Sequence, residues 1–563
     1  HKSHLLLVPS GELQRTVADD AQHTLPNFRQ GDAIVLYERN ADTDNVTNKM
    51  VFKGNIDYLN ENEICIRLRA TQQNSSVLPS DSLYAIEHDA MDTTFRSMYQ
   101  GLYAFMSATK ERRDLLLSQR EPRFDVALDK QIAEAADDFT RIALKAKAAK
   151  DYFLLVGPPG TGKTSCALKK MVETFYKEEG AQILLLSYTN RAVDEICKAL
   201  SSIRPEVDFI RVGSELSCDE NYRDHLIENE LASCMRRTEV CERINRCRIL
   251  VGTVASISGK PELFRLKHFD VAIVDEATQI LEPQLLGILC AKGENGKEGV
   301  GKFILIGDHK QLPAVVLQNT EQSEVYDEAL SAVGLKNLKD SLFERLYRTA
   351  RQHTDAHRTY DMLCRQGRMH PEVALFANQA FYEGRLLPVG LPHQLEDSGN
   401  INRLSFYPSR PEPMGSSAKT NHSEAKIAAR LAATVYKEHS EAFDASRTLG
   451  IITPYRSQIA LIKKEIEVLG IPELNQILID TVERFQGSER DVIIYSFCVN
   501  YPYQLKFLSN LTEEDGILID RKLNVALTRA RKQMLLTGVP TLLERNPLYK
   551  SLLKLIESLR NIA

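Results

Sequence analysis

The sequence predicts an α/β protein in which two parallel-sheet domains follow an N-terminal β-barrel and a helical stalk. Three observations carry this prediction. Short β-rich segments separated by Asn, Asp and Gly occupy residues 31–90, which is typical of a small barrel. Apolar residues then recur at helical spacing over residues 92–120. From about residue 121 to 345, and again from about 358 to the end, strands alternate with helices, as they do in parallel α/β sheets.

These changes of pattern divide the chain into four predicted domains. They are a β-barrel at 1–91, a helical stalk at 92–120, a first α/β domain at 121–350 and a second at 351–563. The chain has 563 residues, which is too long for one hydrophobic core. At about 150 residues per domain, four compact units are the natural expectation.

Composition and charge exclude several classes of protein. Hydrophobic residues make up 43% and charged residues 26%, which excludes long disorder, collagen and small disulfide scaffolds. The net charge of −5 means that nucleic acid would have to bind in a local groove. No apolar run reaches the ~20 residues of a membrane span, so we expect no membrane partner. Ten scattered cysteines indicate a reducing compartment, which is the cytoplasm in a bacterium or the nucleus in a eukaryote.

The strongest motif is a glycine-rich loop between an apolar strand at 152–156 and a helical pattern. Glycines let backbone amides curl around phosphate oxygens, and the helix N-terminus adds positive potential. We therefore predict a nucleotide site that is formed by Gly157, Gly160, Thr161, Gly162, Lys163, Thr164 and Ser165. Lys163 is expected to reach the β- and γ-phosphates, and the Thr164 hydroxyl is expected to bind Mg²⁺.

Two further strands end in polar residues that suit nucleotide hydrolysis. The strand at 271–274 is followed by Asp275, which would hold Mg²⁺, and by Glu276, which would polarise the attacking water. The strand at 303–306 precedes Gln311, whose amide could sense the γ-phosphate. ATP hydrolysis with Mg²⁺ is therefore expected.

The spelling of these motifs resembles that of superfamily 1 helicases. The similar segments are SYTNRAVDEI (187–196), LVGTVASI (250–257), VDEATQ (274–279) and GDHKQLP (307–313). The resemblance is specific to the 1B, or up-frameshift-like, branch, and within it to the helicase part of the Okazaki-fragment helicase-nuclease family. It implies two RecA-like domains, and it implies that Thr189, Asn190 and Thr253 contact nucleic acid.

Four segments of the second α/β domain resemble the later motifs of the same family. They are RQGRMHPEVALFANQAFYEGRL (365–386), TPYRSQ (453–458), TVERFQGSERDVIIYS (481–496) and LNVALTRAR (523–531). The resemblance places both Arg368 and Arg529 on the γ-phosphate. It also implies nucleotide contacts by Gly487 and Glu489, and nucleic-acid contacts by Thr481 and Arg484. Two guanidiniums opposite Lys163 would neutralise the charge that develops on the transferred phosphoryl group, and the bridge would be lost after hydrolysis.

One position departs from the family pattern. The family usually has a tyrosine that stacks on adenine just before the first of the two arginines, whereas this chain has Gly367. Either another ring takes its place or base selectivity is relaxed, so strict preference for ATP is left open.

Two weaker patterns are expected to be structural. Cys218, Cys234, Cys241 and Cys247 invite an iron–sulfur site but lack a CxxC pair, so we expect structural cysteines. In the barrel, residues that could stack on or attract a single strand are expected to form core and rim instead. They are Tyr37, Phe52 and Tyr58 with Arg39, Lys49 and Lys53.

The sequence as a whole predicts an ATP- and Mg²⁺-dependent translocase and helicase that moves 5′ to 3′ on single-stranded nucleic acid. Similarity in the barrel and stalk favours DNA over RNA. Two alternatives stay open: an RNA helicase or ribonucleoprotein remodeller, and a nucleotide-switched clamp that does not unwind. The chain does not begin with Met, so we expect a fragment of a longer protein, with any nuclease or other domain outside it. The sequence leaves the oligomeric state open.

Overall fold

Two units make up the structure, which is a computed structural model; the first ends at Arg96 and the second begins at Ser97. The structure describes residues 2–7, 28, 31–59, 63–72, 77–89, 93–294, 296–316, 318, 320–352, 355–396, 401–413, 416–514 and 516–562.

The first unit contains a five-stranded antiparallel sheet. In spatial order its strands are Lys2–Leu7, Ile64–Gln72, Val51–Leu59, Ala33–Glu38 and Tyr84–His88. Side chains alternate between the two faces, so Phe52 and Ile56 pack in the interior with Ile34 and Ile66. The β-rich region predicted at residues 31–90 is confirmed, and its strands pair antiparallel.

The aromatic residues that sequence reasoning singled out in this sheet divide between core and surface. Tyr37 and Phe52 are buried, whereas Tyr58 is 41% exposed. Lys53 forms an ion pair with Asp89. Tyr58 is therefore the aromatic side chain of this group that is left accessible for stacking.

The predicted stalk consists of two helices, Thr93–Ser107 and Lys110–Leu116. The second helix begins where the Thr109 side chain accepts a hydrogen bond from the Arg112 amide at 3.2 Å. The buried Arg112 guanidinium donates to the carbonyls of Val300 and Gly301 and pairs with Glu298. This helix is thereby anchored at the start of a central strand.

The first parallel sheet has seven strands. In spatial order they are Tyr360–Met362, Tyr152–Val156, Val300–Gly307, Phe269–Val274, Ile183–Ser187, Ile249–Thr253 and Phe209–Val212. Tyr152 and Leu154 join the core on one face and Phe153 and Leu155 the core on the other, as a sheet covered on both sides requires. The edge strand Tyr360–Met362 lies beyond residue 350, the predicted end of this domain.

The second parallel sheet has five strands. In spatial order they are Leu404–Pro408, Ala530–Gly538, Arg490–Ser496, Leu449–Ile452 and Leu478–Asp480. Ile493 and Tyr495 face one core, and Val492 and Ile494 face the other. Together with the first sheet and the N-terminal sheet, this confirms the predicted fold class.

Two small sheets complete the strands: Arg365–Gln366 pairs in parallel with Leu387–Pro388, and Leu511–Glu514 pairs antiparallel with Ile517–Asp520. The remaining α-helices are Asp129–Ala133, Asp138–Ala148, Lys169–Tyr176, Asn190–Ser201, Ile227–Glu230, Arg237–Arg246, Val254–Ser258, Glu262–Leu266, Glu282–Leu289, Thr320–Ser323, Glu328–Ala332, Leu342–Ala350, Ala356–Thr359, Pro371–Phe381, Pro392–Leu395, His422–Glu438, Arg456–Glu467, Val482–Phe485, Leu505–Leu508, Arg521–Leu527, Pro540–Leu543 and Pro547–Ile562. Within the described ranges, no helix is both long and apolar enough to cross a membrane.

Of the four cysteines between residues 218 and 247, Cys218 and Cys247 are buried and Cys234 and Cys241 are partly exposed. No group of three His, Cys, Asp or Glu side chains suited to a metal ion occurs in the part of the chain that the structure describes.

Candidate nucleotide site between the two parallel sheets

The glycine-rich loop leaves the carboxyl end of the buried strand Tyr152–Val156 and wraps into a helical turn at Lys163–Leu168. Gly160 and Gly162 have φ values of +72° and +75°, which L side chains adopt only under strain. The Gly157 amide donates to the carbonyl of Gly307 on the adjacent strand at 2.9 Å. The loop is therefore fixed to the sheet, and Lys163 begins the helical turn that follows it.

Thr164 and Asp275 meet beside this loop. The Thr164 hydroxyl donates to Asp275 Oδ2 at 2.5 Å, and Asp275 is 2% exposed at the end of the strand Phe269–Val274. A hydroxyl and a carboxylate oxygen are ligands that Mg²⁺ prefers. These two groups fit the magnesium site that the sequence predicted.

Glu276 has a strained backbone and a buried carboxylate. Its φ is +54°, which is uncommon for a residue other than glycine. Its Oε2 atom is buried and accepts no hydrogen bond from the described residues. Burial and the neighbouring charge of Asp275 raise the pKa of Glu276 to about 7. A carboxylate with such a pKa is suited to accept a proton from water at neutral pH.

Arg368 reaches the glycine-rich loop from the segment that follows the first sheet. The Gly367 amide donates to the Gly160 carbonyl at 2.8 Å, which holds the backbone next to Arg368 against the loop. The Arg368 guanidinium donates through Nε to Glu489 Oε2 at 2.6 Å. Two residues that the sequence assigned to the nucleotide thus contact each other.

Arg529 lies near Arg368 and is 2% exposed. It donates to the carbonyls of Val525 at 3.0 Å and Ser488 at 3.3 Å, and to Gln311 Oε1 at 3.4 Å. Burial, together with the charge of Arg368, lowers the pKa of Arg529 from its usual range. Arg368 and Arg529 are neighbouring cations, and the hydrogen bonds given above join Arg529 to neutral oxygens. The pair is therefore suited to bind an anion such as a phosphate.

Gln311 connects the two sheets through residues that the sequence analysis did not identify. Its Nε2 donates to Asp308 Oδ2 at 2.7 Å, and the same oxygen accepts the hydroxyl of Tyr382 at 2.7 Å. Asn524 donates to Tyr382 at 2.8 Å and to the Lys310 carbonyl at 2.7 Å. The three missed residues, Asp308, Tyr382 and Asn524, all lie inside recognised motifs.

The residues predicted to contact nucleic acid follow strands of both sheets. Thr189 and Thr253 each cap a helix: their hydroxyls accept the amides of Ala192 at 3.2 Å and Ser256 at 3.1 Å. Thr253 is only 7% exposed. Asn190 is the first residue of the helix Asn190–Ser201. Thr481 directly precedes the short helix Val482–Phe485, and Arg484 is an exposed residue of that short helix. Their nucleic-acid contacts stay predictions.

Arg191 is a further missed residue that joins the two sheets. Its guanidinium donates to the Gly487 carbonyl at 3.0 Å. Gly487, which has a φ of +76°, was assigned to the nucleotide and is placed beside the helix Asn190–Ser201. The two domains thus also meet on this side of the cleft.

Comparison with known proteins supports the family resemblance. Two models of the AAA domain match the chain, one at residues 133–242 and 234–319 and the other at residues 338–541. The DNA replication ATP-dependent helicase/nuclease DNA2 of Bos taurus is 27% identical over 95% of this chain and 50% of its own length. The Homo sapiens protein of that name is 28% identical over 85% and 46%, and the Saccharomyces cerevisiae protein 27% over 79% and 29%.

The chain spans half or less of the length of these relatives. A solved complex of Arterivirus nonstructural protein 10 (helicase) with DNA covers 71% of this chain and 62% of its own chain, at 16% identity and a TM-score of 0.34. The AAA-domain matches on both parallel-sheet regions and the similarity to DNA2 proteins over most of the chain confirm the predicted resemblance to superfamily 1B helicases.

Proposed function

We propose that the chain hydrolyses ATP with Mg²⁺ and uses the energy to move along, and unwind, nucleic acid. The proposed track is a single strand, with DNA preferred to RNA and movement from 5′ to 3′. The chain would consist of the four domains at 1–91, 92–120, 121–350 and 351–563. A nuclease or another domain would lie outside the chain.

One observation carries the ATPase part of this proposal. Lys163 and the Thr164–Asp275 pair come from the first domain. From the second domain, Arg368 lies beside the same loop, and Arg529 contacts Gln311, which follows the first sheet. A phosphate group between Lys163 and the two arginines would be held by both domains. Because the charge on the γ-phosphate changes during transfer, this arrangement favours the transition state.

The roles of the individual residues follow from their positions. Lys163 would hold the β- and γ-phosphates, and the loop residues from Gly157 to Ser165 would hold the phosphate oxygens through backbone amides. Thr164 and Asp275 would hold Mg²⁺, which when bound neutralises phosphate charge. Glu276 would accept a proton from the attacking water, since its Oε2 is buried without a described partner.

Movement requires that nucleotide state change the contact between the domains. With a γ-phosphate present, Arg368 would leave Glu489 for the phosphate, and after release it would return to Glu489. Gln311 would report the same event because it contacts Arg529. The preference for DNA is supported by the names of the relatives, which are DNA replication helicase/nucleases, and the 5′-to-3′ direction by the resemblance to the 1B branch.

ATP turnover is the experiment that tests this proposal. It is measured without nucleic acid, with single-stranded DNA and with RNA of matched sequence, and Glu276→Gln serves as the blank. We expect strong stimulation by DNA, no turnover by Lys163→Ala, and nucleotide binding without hydrolysis by Glu276→Gln. Equal or greater stimulation by RNA would favour the RNA helicase, and no stimulation by either would contradict binding of a single strand.

Strand displacement separates a motor from a clamp. Duplexes with either a 5′ or a 3′ single-stranded tail are incubated with ATP, and release of the short strand is followed. Unwinding from the 5′ tail is expected. Nucleotide-dependent binding without any release would favour the clamp.

A further inference from the structure

Three buried polar side chains join the two parallel sheets behind the nucleotide site. Asp308 directly follows the strand Val300–Gly307, Tyr382 follows the helix Pro371–Phe381, and Asn524 lies in the helix Arg521–Leu527. They are 2%, 1% and 0% exposed. Buried polar groups are retained where they are fully hydrogen-bonded or have a function.

The Tyr382 hydroxyl is the centre of this cluster. It donates to Asp308 Oδ2 at 2.7 Å and accepts from Asn524 Nδ2 at 2.8 Å. Burial and the charge of Asp308 raise the pKa of Tyr382 well above its usual value. The hydroxyl therefore stays protonated, and towards Asp308 it acts as the donor.

Asp308 connects the Tyr382 hydroxyl to Gln311. Asp308 Oδ2, which accepts the Tyr382 hydroxyl, also accepts a hydrogen bond from Gln311 Nε2 at 2.7 Å. The Tyr382 hydroxyl therefore helps to position the Asp308 carboxylate, and this carboxylate positions the Gln311 amide. With Nε2 held by Asp308, the Oε1 atom of Gln311 faces Arg529 Nη2 at 3.4 Å. The orientation of Gln311 and its contact with Arg529 thus depend on the position of Asp308.

We propose that Tyr382 is a positioning residue for ATP hydrolysis: through Asp308 its hydroxyl orients Gln311 and Arg529 towards the γ-phosphate. This inference rests on the proposed ATPase function. Tyr382 does not touch the nucleotide in this scheme, so the hydroxyl acts on the chemical step and leaves nucleotide binding unchanged.

Tyr382→Phe tests the role because it removes the hydroxyl and keeps the ring. We expect kcat for ATP to fall about tenfold, as for loss of one hydrogen bond to a charged group, while KM changes less than twofold. Tyr549→Phe is the matched control. Tyr549 is also 1% exposed and donates to a buried carboxylate, that of Asp520 at 2.8 Å, but no described hydrogen bond links it to Gln311. The kcat of Tyr549→Phe should stay within twofold of the wild-type value.

A second pair of variants separates positioning from general loss of structure. If Tyr382 acts through Gln311, adding Tyr382→Phe to Gln311→Ala should lower kcat less than twofold further. Asn524→Ala, which removes the other hydrogen bond to the hydroxyl, should reproduce the fall in kcat even if Tyr382→Phe folds poorly.

Three results would overturn the inference. They are a Tyr382→Phe variant with wild-type kcat, an equal fall in Tyr549→Phe, and a full tenfold effect on the Gln311→Ala background. These outcomes require an active wild-type protein, so they are distinct from failure of the proposed function. If the wild-type protein lacks ATP turnover, the proposed function and this inference fall together.

Discussion

Arg368 and Glu489 form an ion pair at the glycine-rich loop, with 2.6 Å between Nε and Oε2. Burial raises the pKa of the Glu489 carboxyl, but Arg368 more than compensates, and the net pKa lies below its usual value. Any nucleotide that recruits Arg368 must therefore replace a carboxylate that already holds it. Glu489 then competes with the γ-phosphate for the same guanidinium.

Glu489→Gln should therefore strengthen nucleotide binding in the absence of nucleic acid. The Glu489 side chain is 45% exposed, so the ion pair is screened and worth at most about 1 kcal/mol. We expect the Kd of a non-hydrolysable ATP analogue to fall about threefold, as measured by fluorescence titration. Glu483→Gln is a matched control, because Glu483 lies in the same segment as Glu489 but forms its ion pair with Lys522. Weaker binding by Glu489→Gln would instead indicate that Glu489 contacts the nucleotide, as the sequence predicted.

Arg529→Ala should lower turnover far more than it lowers binding. An arginine that stabilises the transition state of phosphoryl transfer contributes about 10³-fold or more to kcat. We expect a fall of at least about 100-fold in kcat with a smaller change in KM, measured by steady-state ATP hydrolysis. Arg430→Ala, on the exposed face of the helix His422–Glu438, should leave both constants unchanged. A variant with unchanged kcat but raised KM would place Arg529 in ground-state binding.

Much of this architecture was predictable from local sequence. Strands such as Ile183–Ser187 are apolar throughout because both faces of a parallel sheet are covered, and the glycine-rich loop is identified by spacing alone. The pairing of Arg368 with Glu489, by contrast, joins residues 121 positions apart. No periodicity reports such a contact, since it depends on how two loops meet.

The strand Tyr360–Met362 illustrates the same limit in the fold. It lies beyond the predicted end of the first α/β domain, yet it pairs in parallel with Tyr152–Val156. Three residues are too few for a periodic pattern, and only the neighbouring strand makes them a strand. Tyr382 and Asn524 were missed for a related reason: the hydrogen-bond partners of each come from other elements of the fold.

Glu424 should make the stability of the protein fall as pH rises through neutrality. Burial raises the pKa of Glu424 to about 7 although it accepts hydrogen bonds from Ser496 Oγ at 2.7 Å and Cys498 N at 2.8 Å. A carboxyl whose folded pKa is raised contributes stability that is full below its unfolded pKa and is lost as pH rises through the folded pKa. The loss can reach about 3 kcal/mol between pH 5 and pH 8.

Glu424→Gln removes this titration. The urea midpoint of the variant should therefore fall less between pH 5 and pH 8 than that of the wild-type protein. Glu438→Gln, at the exposed end of the same helix, should follow the wild-type profile. Parallel profiles for wild type and Glu424→Gln would show that the carboxyl does not titrate in this range.

Gly160→Ala should abolish ATP turnover because the added carbon would meet the second domain. A Cβ at Gly160 would lie 2.4 Å from Arg368 Cβ and 3.0 Å from the Arg368 amide nitrogen, so the loop or the arginine must move. Gly180→Ala is a matched control: its φ of +77° is close to the +72° of Gly160, but a Cβ there would meet no atom of the described residues within 4 Å. Both variants bear the backbone strain of about 1 kcal/mol, which thermal unfolding would register.

Only Gly160→Ala should lower kcat/KM for ATP, by at least about 100-fold, since misplacing catalytic groups by about 1 Å has that effect. Equal activity of the two variants would mean that the contact between Gly160 and Arg368 is not part of the hydrolytic site.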